Sequence, residues 1–504
     1  MKWLQKRIQG IDERTASRIM IVVFIVSLLP LLLLARYCFP QADDYTFSAR
    51  THMAWISTGS LWEVLKTAIL VVGDYYMKWQ GTYFSIFLMT LQPGLFTEKL
   101  YWIVPFFMMS ISSGSVLFFC KVILRDCLKI SKEKYIILSV PIIFVMIQRM
   151  IDGMQAFYWY NGATHYMTVQ SLLFFLMGIL LQMVFVNNNK RIKRTGVLVI
   201  FLSICVGGGN YISAILAFVF YMAIIFLTII TKQWKTVKGK FIISGFILFT
   251  AGFLCNALAP GNATRQDIIG EPVSPIKAVL VSIYFAVEKI IEWNEWLLIL
   301  IILLLIPVMW KAVLKVEFHF PYPIIVIGYC FGMVAAMFAP NVYTGLEYGP
   351  GRCLNITYMT YVLVLFFSVF YTVGWLANQF KQQVKEEFIE NGYGNHIKWY
   401  WGLLGIAGIF FTIMTGVADY DYFLSSTAVE VIASGEAAQI REEYEEYLQL
   451  LLDEEQKDII IHPFTVKPEL LTSNGISPWQ EGARGFFQKD SIIEVERTVK
   501  NTGE

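Results

Sequence analysis

The sequence predicts an all-α, polytopic membrane protein, and three observations predict it. Of its 504 residues 56% are hydrophobic and only 15% charged, where an ordinary soluble domain carries roughly 25% charged residues. Mean hydropathy is accordingly positive, at +0.56. The apolar excess is gathered into runs of about 17 to 25 residues, the length that carries a helix across a ~30 Å hydrocarbon core. Basic residues then collect in alternate connections between those runs. Together these exclude a soluble multidomain enzyme, a secreted disulfide scaffold and a disordered chain. They also exclude a transmembrane β-barrel, whose strands alternate apolar and polar residues over ~10 positions.

About eleven spans are expected, at 19–38, 101–120, 135–149, 165–186, 196–209, 211–230, 241–258, 296–310, 323–339, 354–376 and 399–417. The basic flank of the first resembles a signal peptide, but its apolar run is too long and no small-residue cleavage site follows. It reads as a retained anchor. With the N-terminus inside, the cytoplasmic segments hold 23 Lys and Arg and the longer external loops ten. That asymmetry predicts a cytoplasmic N-terminus and an external C-terminus in the cell membrane. The tail after residue 417 has 18 acids and 7 bases, which suits a translocated segment. Two domains follow, a membrane region over 1–417 and an external tail over 418–504. The seven cysteines form no CxxC pair and read as small packing residues, not as a disulfide or metal framework.

The cytoplasmic connections are short and basic, so function is expected on the external side. The first external loop opens with Pro40-Gln41-Ala42-Asp43-Asp44-Tyr45. Behind the acid pair, Thr46 to Ile56 and Leu61 to Lys78 carry apolar residues at helical spacing and predict amphipathic interfacial helices. The run from Phe84 to Leu91 is too short to span and is broken by Pro93-Gly94, leaving a re-entrant dip or an extension of the next helix open. The second loop reads Asp152-Gly153-Met154-Gln155-Ala156-Phe157-Tyr158-Trp159-Tyr160-Asn161-Gly162-Ala163-Thr164-His165. Its aromatics would stack a sugar ring or line an acyl chain. Gly207-Gly208-Gly209-Asn210 permits close helix approach. The remaining loops place Arg265 after Ala259-Pro260-Gly261-Asn262 and Arg352 after Glu347-Tyr348-Gly349-Pro350-Gly351. In the tail, Ala437 to Glu455 reads as a charged helix and Ile459 to Phe464 as a strand, which predicts a small α+β cap.

A carboxylate near a bilayer costs several kcal/mol unless paired or hydrated, which makes Asp43 and Asp44 the first catalytic candidates. Their bland alternative is a solvated turn or helix cap. Arg265 and Arg352 suit bidentate phosphate binding, with interfacial snorkelling as the alternative. His165 is a phosphate ligand, a proton carrier or a hydrogen-bonded structural residue. The sequons at Asn262 and Asn355 are too short a pattern to carry weight. Acids after the first helix, later arginines and intervening aromatics describe a surface cavity for a half-lipid, half-polar substrate.

In this ordered set, ADDYTFS, FYWYNGATHY, LAPGNATR and GPGR, the chain resembles the bacterial membrane family DUF6056, itself similar to glycosyltransferases of GT-C type. The resemblance covers roughly residues 20 to 375, and Ser477-Pro478-Trp479-Gln480-Glu481 onwards resembles the family's C-terminal end. It implies a GT-C-like core that moves a sugar from a polyprenyl-phosphate donor to a cell-envelope glycan, lipid or protein acceptor. Asp43 or Asp44 would be the base, with Arg265, Arg352, His165, Asn161, Trp159 and Asn262 binding substrate. No metal site and no firm cofactor are implied, with a divalent ion left open, and no nucleic acid is expected as partner. Two departures stand out: the family often has Arg where Thr82 stands and an acid where Gln155 stands, so this member has altered specificity or lost activity if those residues matter. Outside this class, an envelope polysaccharide polymerase or ligase would need no acid pair after the first helix. A transporter would call for internal repeats and midspan polar residues, which the chain does not display.

Overall fold

The computed structural model describes residues 12–186, 192–345, 348–381, 394–419, 421–472 and 481–495. Glu347 and the stretch 477–480 lie outside the described residues. The chain is helical nearly throughout. Asp12 caps α1 (Glu13–Leu34) by accepting the Thr15 N–H at 2.8 Å. Along α1, Val22, Ile25, Val26, Leu29 and Leu33 face outward while Leu31 and Leu34 are buried, as befits a helix with lipid on one side and protein on the other.

The first connection is the most elaborate. It holds α2 (Asp43–Thr58), α3 (Leu61–Lys78) and the seven-residue α4 (Tyr83–Met89). On α3, Leu61, Trp62, Leu65 and Ile69 are exposed whereas Val64, Ala68 and Val71 are buried, so the expected amphipathic helices are present. The Phe84–Leu91 run falls on α4, which is separate from α5 (Ile103–Cys120), and the Pro93 turn divides them.

The bundle continues with α6 (Lys132–Gln148), α7 (Tyr160–Phe185), α8 (Ile192–Gly207), α9 (Tyr211–Ile230) and α10 (Val237–Ala257). After them come the short α11 (Gly261–Ile269), the amphipathic α12 (Pro275–Trp293), α13 (Trp296–Val313), α14 (Pro323–Tyr343), α15 (Gly351–Lys381) and α16 (Gly394–Ala418). Among the described residues eight helices are long and apolar enough to cross a membrane: those containing α1, α5, α7, α9, α10, α13, α14 and α15. The three other expected spans fall on helices too. At 1.5 Å per residue, α6 and α8 reach only about 24 to 26 Å, and the apolar part of α16 is limited to Gly402–Thr415. Ten of the 17 residues of α6 are buried, so this helix faces protein along much of its length.

The tail comprises α17 (Leu424–Ala433), α18 (Glu436–Leu452), β1 (Asp458–Ile461), α19 (Glu481–Phe487) and β2 (Ser491–Glu494). The strands pair in parallel, Asp458 opposite Ser491 and Ile461 opposite Glu494, and α19 lies in the crossover that a parallel pair requires. The strand stops at Ile461, before Pro463, and is shorter than the sequence suggests. Rather than standing apart, the tail shares one hydrophobic core with the bundle. Tyr444 stacks on Phe39 with centroids 4.3 Å apart, Arg441 donates to the Cys38 carbonyl at 3.0 Å, and Gln41 donates to the Leu471 carbonyl at 3.0 Å. A second tether joins Arg149 to Glu295 at 2.7 Å, with the Tyr422 hydroxyl donating to the same carboxylate at 2.8 Å.

Candidate functional site

The four motif segments are scattered over some 300 residues of chain, and the fold brings them to one end of the bundle. ADDYTFS supplies the turn into α2. Ala42 adopts φ 53° and ψ −126°, a conformation that costs an alanine on the order of 1–3 kcal/mol. It is held there by packing against Met154 and Trp159. The kink sends the two following carboxylates to different places.

Asp44 is fully buried and its acceptor capacity is taken up by protein. The Tyr101 hydroxyl donates to it at 2.6 Å, the Gln41 N–H at 3.2 Å and the Asn161 N–H at 3.0 Å. Burial drives its pKa well up, the neighbouring Asp43 charge adds to that, and these three donors oppose it. Asp43 takes one hydrogen bond, from the Asn161 side-chain amide at 3.1 Å. Its pKa is pushed up to about 6 by burial, against the lowering effect of Asn161, the Arg352 guanidinium and the Trp159 indole. Asn161 therefore clamps both acids, one by its backbone and one by its side chain. Asp43 is a carboxylate poised to change protonation near neutrality, as a proton acceptor requires. Asp44 has the surroundings of an anchor.

Beside this corner lies a cavity of about 530 Å³. Its walls come from α7, α9, α10, α11, α12, α14 and the start of α15. Ile212, Ile215, Phe253 and Val279 make it largely apolar, and Arg265, Arg352 and His165 give it a polar end. Arg265 and Arg352 are the charged residues among its lining. Neither belongs to an ion pair among the described residues. Arg265 donates to the Gln80 side-chain Oε1 at 2.6 Å, and Arg352 to the Gln155 side-chain Oε1 at 3.0 Å. The Arg352 guanidinium also lies over the Trp159 and Tyr166 rings, 5.6 and 5.9 Å from their centroids.

The glycines of two motifs are explained by close approach. A Cβ on Gly261 would fall 2.2 Å from the Trp79 nitrogen, so LAPGNATR can turn over the α3–α4 connection only with glycine there. A Cβ on Gly351 would fall 2.5 Å from the Asp152 carboxylate. Without a side chain at that position, the first turn of α15 comes up against the second loop and carries Arg352 with it.

The eight expected site residues divide into three groups. Arg265, Arg352, His165 and Asn262 line the cavity; Asp43 does not line it but is near enough to Arg352 to feel its charge. Asp44, Trp159 and Asn161 belong to the acid corner. Asn262 spends its side chain on the fold, accepting the Gly81 N–H at 3.1 Å and donating to Asn256, Ala257 and Tyr211. The His165 Nδ1 is buried and lacks a partner, as does the hydroxyl of the cavity residue Thr82. Sequence reasoning missed Tyr101 and Gln80, whose roles depend on partners 57 and 185 positions away. Asp152, three residues before Gln155, is a local signal that spacing alone displays.

The cavity can hold an anionic group at its guanidinium end and an apolar chain along its helices, while Asp43 nearby can take up a proton. No protein-family model matches the chain, and no curated protein matches it.

Proposed function

We propose that the protein is a membrane glycosyltransferase of GT-C-like architecture, taking its sugar from a polyprenyl-phosphate donor. In this reading the chain crosses the membrane about eleven times from a cytoplasmic N-terminus, and the cavity and the tail face outward. The observation that carries the reading is the meeting of Arg265 and Arg352 in one mostly apolar cavity, with Asp43, its pKa raised by burial to about 6, within reach of the Arg352 charge.

Asp43 rather than Asp44 is the base. As the acceptor hydroxyl oxygen attacks the anomeric carbon, its proton passes to the Asp43 carboxylate. The anomeric carbon–phosphate oxygen bond breaks on the opposite side, which inverts the configuration. Polyprenyl phosphate leaves with the electron pair. Its phosphate gains a negative charge in the process, and Arg265 and Arg352 meet that charge where water is scarce. Asn161 positions Asp43, Asp44 anchors the turn, and the buried Trp159 ring backs the Arg352 guanidinium. The acceptor is a glycan, lipid or protein of the cell envelope.

The test is mass spectrometry of lipid-linked sugars and envelope polymers from cells with the protein, without it, and with Asp43→Asn in its place. Loss of one glycosyl modification, unrestored by Asp43→Asn, is the expected result. Unchanged glycans together with a transport defect would sink the reading.

A further inference from the structure

The Arg352 guanidinium is held by a chain of contacts that ends in a carboxylate but does not begin with one. Gln155 turns its amide so that Oε1 accepts from Arg352 at 3.0 Å. Its Nε2 donates to Asp152 Oδ2 at 2.5 Å, and its backbone N–H donates to Asp152 Oδ1 at 2.9 Å. A carboxylate accepts and a guanidinium donates, so both neighbours demand the same amide orientation. Asp152 is fixed in turn. Its backbone N–H donates to Asn355 Oδ1 and its carbonyl accepts from Asn355 Nδ2, both at 2.8 Å. Asn355 stands three residues after Arg352 on the same helix, with Gly351 against the Asp152 carboxylate. The loop and the helix start thus form a closed loop of contacts around one arginine.

From this geometry we infer that Gln155 is a positioning residue that aims Arg352 into the cavity while keeping its positive charge free for an anionic ligand. A carboxylate at position 155 would meet the charge of the guanidinium and compete with a phosphate, and it would lose the bond that the amide donates to Asp152. A neutral amide transmits the orientation set by Asp152 and leaves the acid one residue removed. Arg265 is treated in the same way, by Gln80. Two neutral acceptors on the two charged residues that line the cavity among the described residues fit a ligand that brings its own negative charge. The inference rests on the proposed phosphate-linked donor and adds the residue that determines how strongly the anion is held.

The test uses the full-length protein in detergent, titrated with farnesyl phosphate, with farnesol and with inorganic phosphate. The double variant D152N/Q155E and the single variant Q155L are compared with wild type after each is shown to melt cooperatively. The double variant exchanges carboxylate and amide between the two positions, so the hydrogen bonds of the chain are kept, whereas Q155E alone would set a carboxylate against Asp152 Oδ2. A purely structural role makes Q155L the more damaging variant, because D152N/Q155E keeps an acceptor for Arg352. The charge-sparing role reverses the order. D152N/Q155E should bind farnesyl phosphate at least tenfold more weakly than wild type and more weakly than Q155L, with farnesol affinity unchanged. Inorganic phosphate following the same order supports the role and shows that the anion suffices without the chain. Wild type binding farnesyl phosphate with D152N/Q155E equal to it, or milder than Q155L, overturns the role of Gln155 alone. Wild type that binds neither phosphate overturns the donor reading, and this inference falls with it.

Discussion

The acid corner and the arginine cavity lie side by side at one end of the bundle and handle polar groups in opposite ways. In the corner, Asp44 is saturated by three donors, Ala42 is held strained against Met154 and Trp159, and the nearby Tyr45 hydroxyl bonds the tail's Tyr444 at 2.9 Å. In the cavity, each guanidinium is steadied by a single neutral amide and keeps other N–H groups in hand. Saturation makes a polar residue part of the scaffold; incomplete pairing leaves it available to a ligand. Asp43 stands on the boundary, with one side-chain hydrogen bond and a pKa near 6.

The sharpest way to break this contrast is to treat the two adjacent acids alike. Asp43→Asn should lower sugar transfer by roughly 10²- to 10⁴-fold, the range expected for losing a general base, with the melting temperature nearly unchanged. Asp44→Ala should instead destabilise the fold by about 3 kcal/mol or more, because it strands the donors of Tyr101, Gln41 and Asn161 in a buried site. Thermal melts of the two variants beside transfer assays would decide; equal stability losses would erase the distinction.

On the cavity side, Arg265→Ala should raise the KM for the lipid donor by about tenfold or more, in line with a charged hydrogen bond. An unchanged KM would remove Arg265 from the binding site. The pH profile joins the two regions. In the proposed reaction Asp43 works as the ionised base, and burial raises its pKa to about 6, so activity should be flat above that value and fall as pH drops through it. The fall should approach tenfold per pH unit, and a limb that stays near pH 4 would place the base elsewhere. The smallest effect is expected at the tail. Tyr444→Phe removes bonds to Tyr45 and to Glu98 Oε2 and should loosen tail docking by about 1 kcal/mol, read as faster proteolysis of the tail.

Much of the fold was legible in the chain. Each of the eleven apolar runs falls on a helix, and α3 has the two-faced pattern that its Leu61–Ile69 spacing predicts. The length criterion separates them further, and α6 shows why: a short apolar helix buried against neighbours is indistinguishable, by composition, from one that meets lipid. The Phe84–Leu91 run could not be placed from sequence because α4 is defined by tertiary contacts, including the Tyr83 hydroxyl donating to Ile204 at 2.8 Å. Of the site, the motif residues were legible as a set. Asn262 and Asn161, read as substrate ligands, turn out to hold backbone and acids respectively.

By itself, the sequence determined what depends on running sums along the chain: an apolar helical protein, the uneven spread of its charge, and the connections where polar residues collect. Apolar length and charge count are local properties, so they survive without knowledge of the partners. Tertiary structure decided which of two adjacent carboxylates is less fully bonded, that two arginines line one cavity, and that the acidic tail is built into the core of the bundle. Those outcomes turn on hydrogen bonds between residues far apart in the chain, such as Asn161 to Asp44 and Arg352 to Gln155. A donor and an acceptor are satisfied only by atoms about 3 Å away in the right direction, and one-dimensional patterns carry no such information.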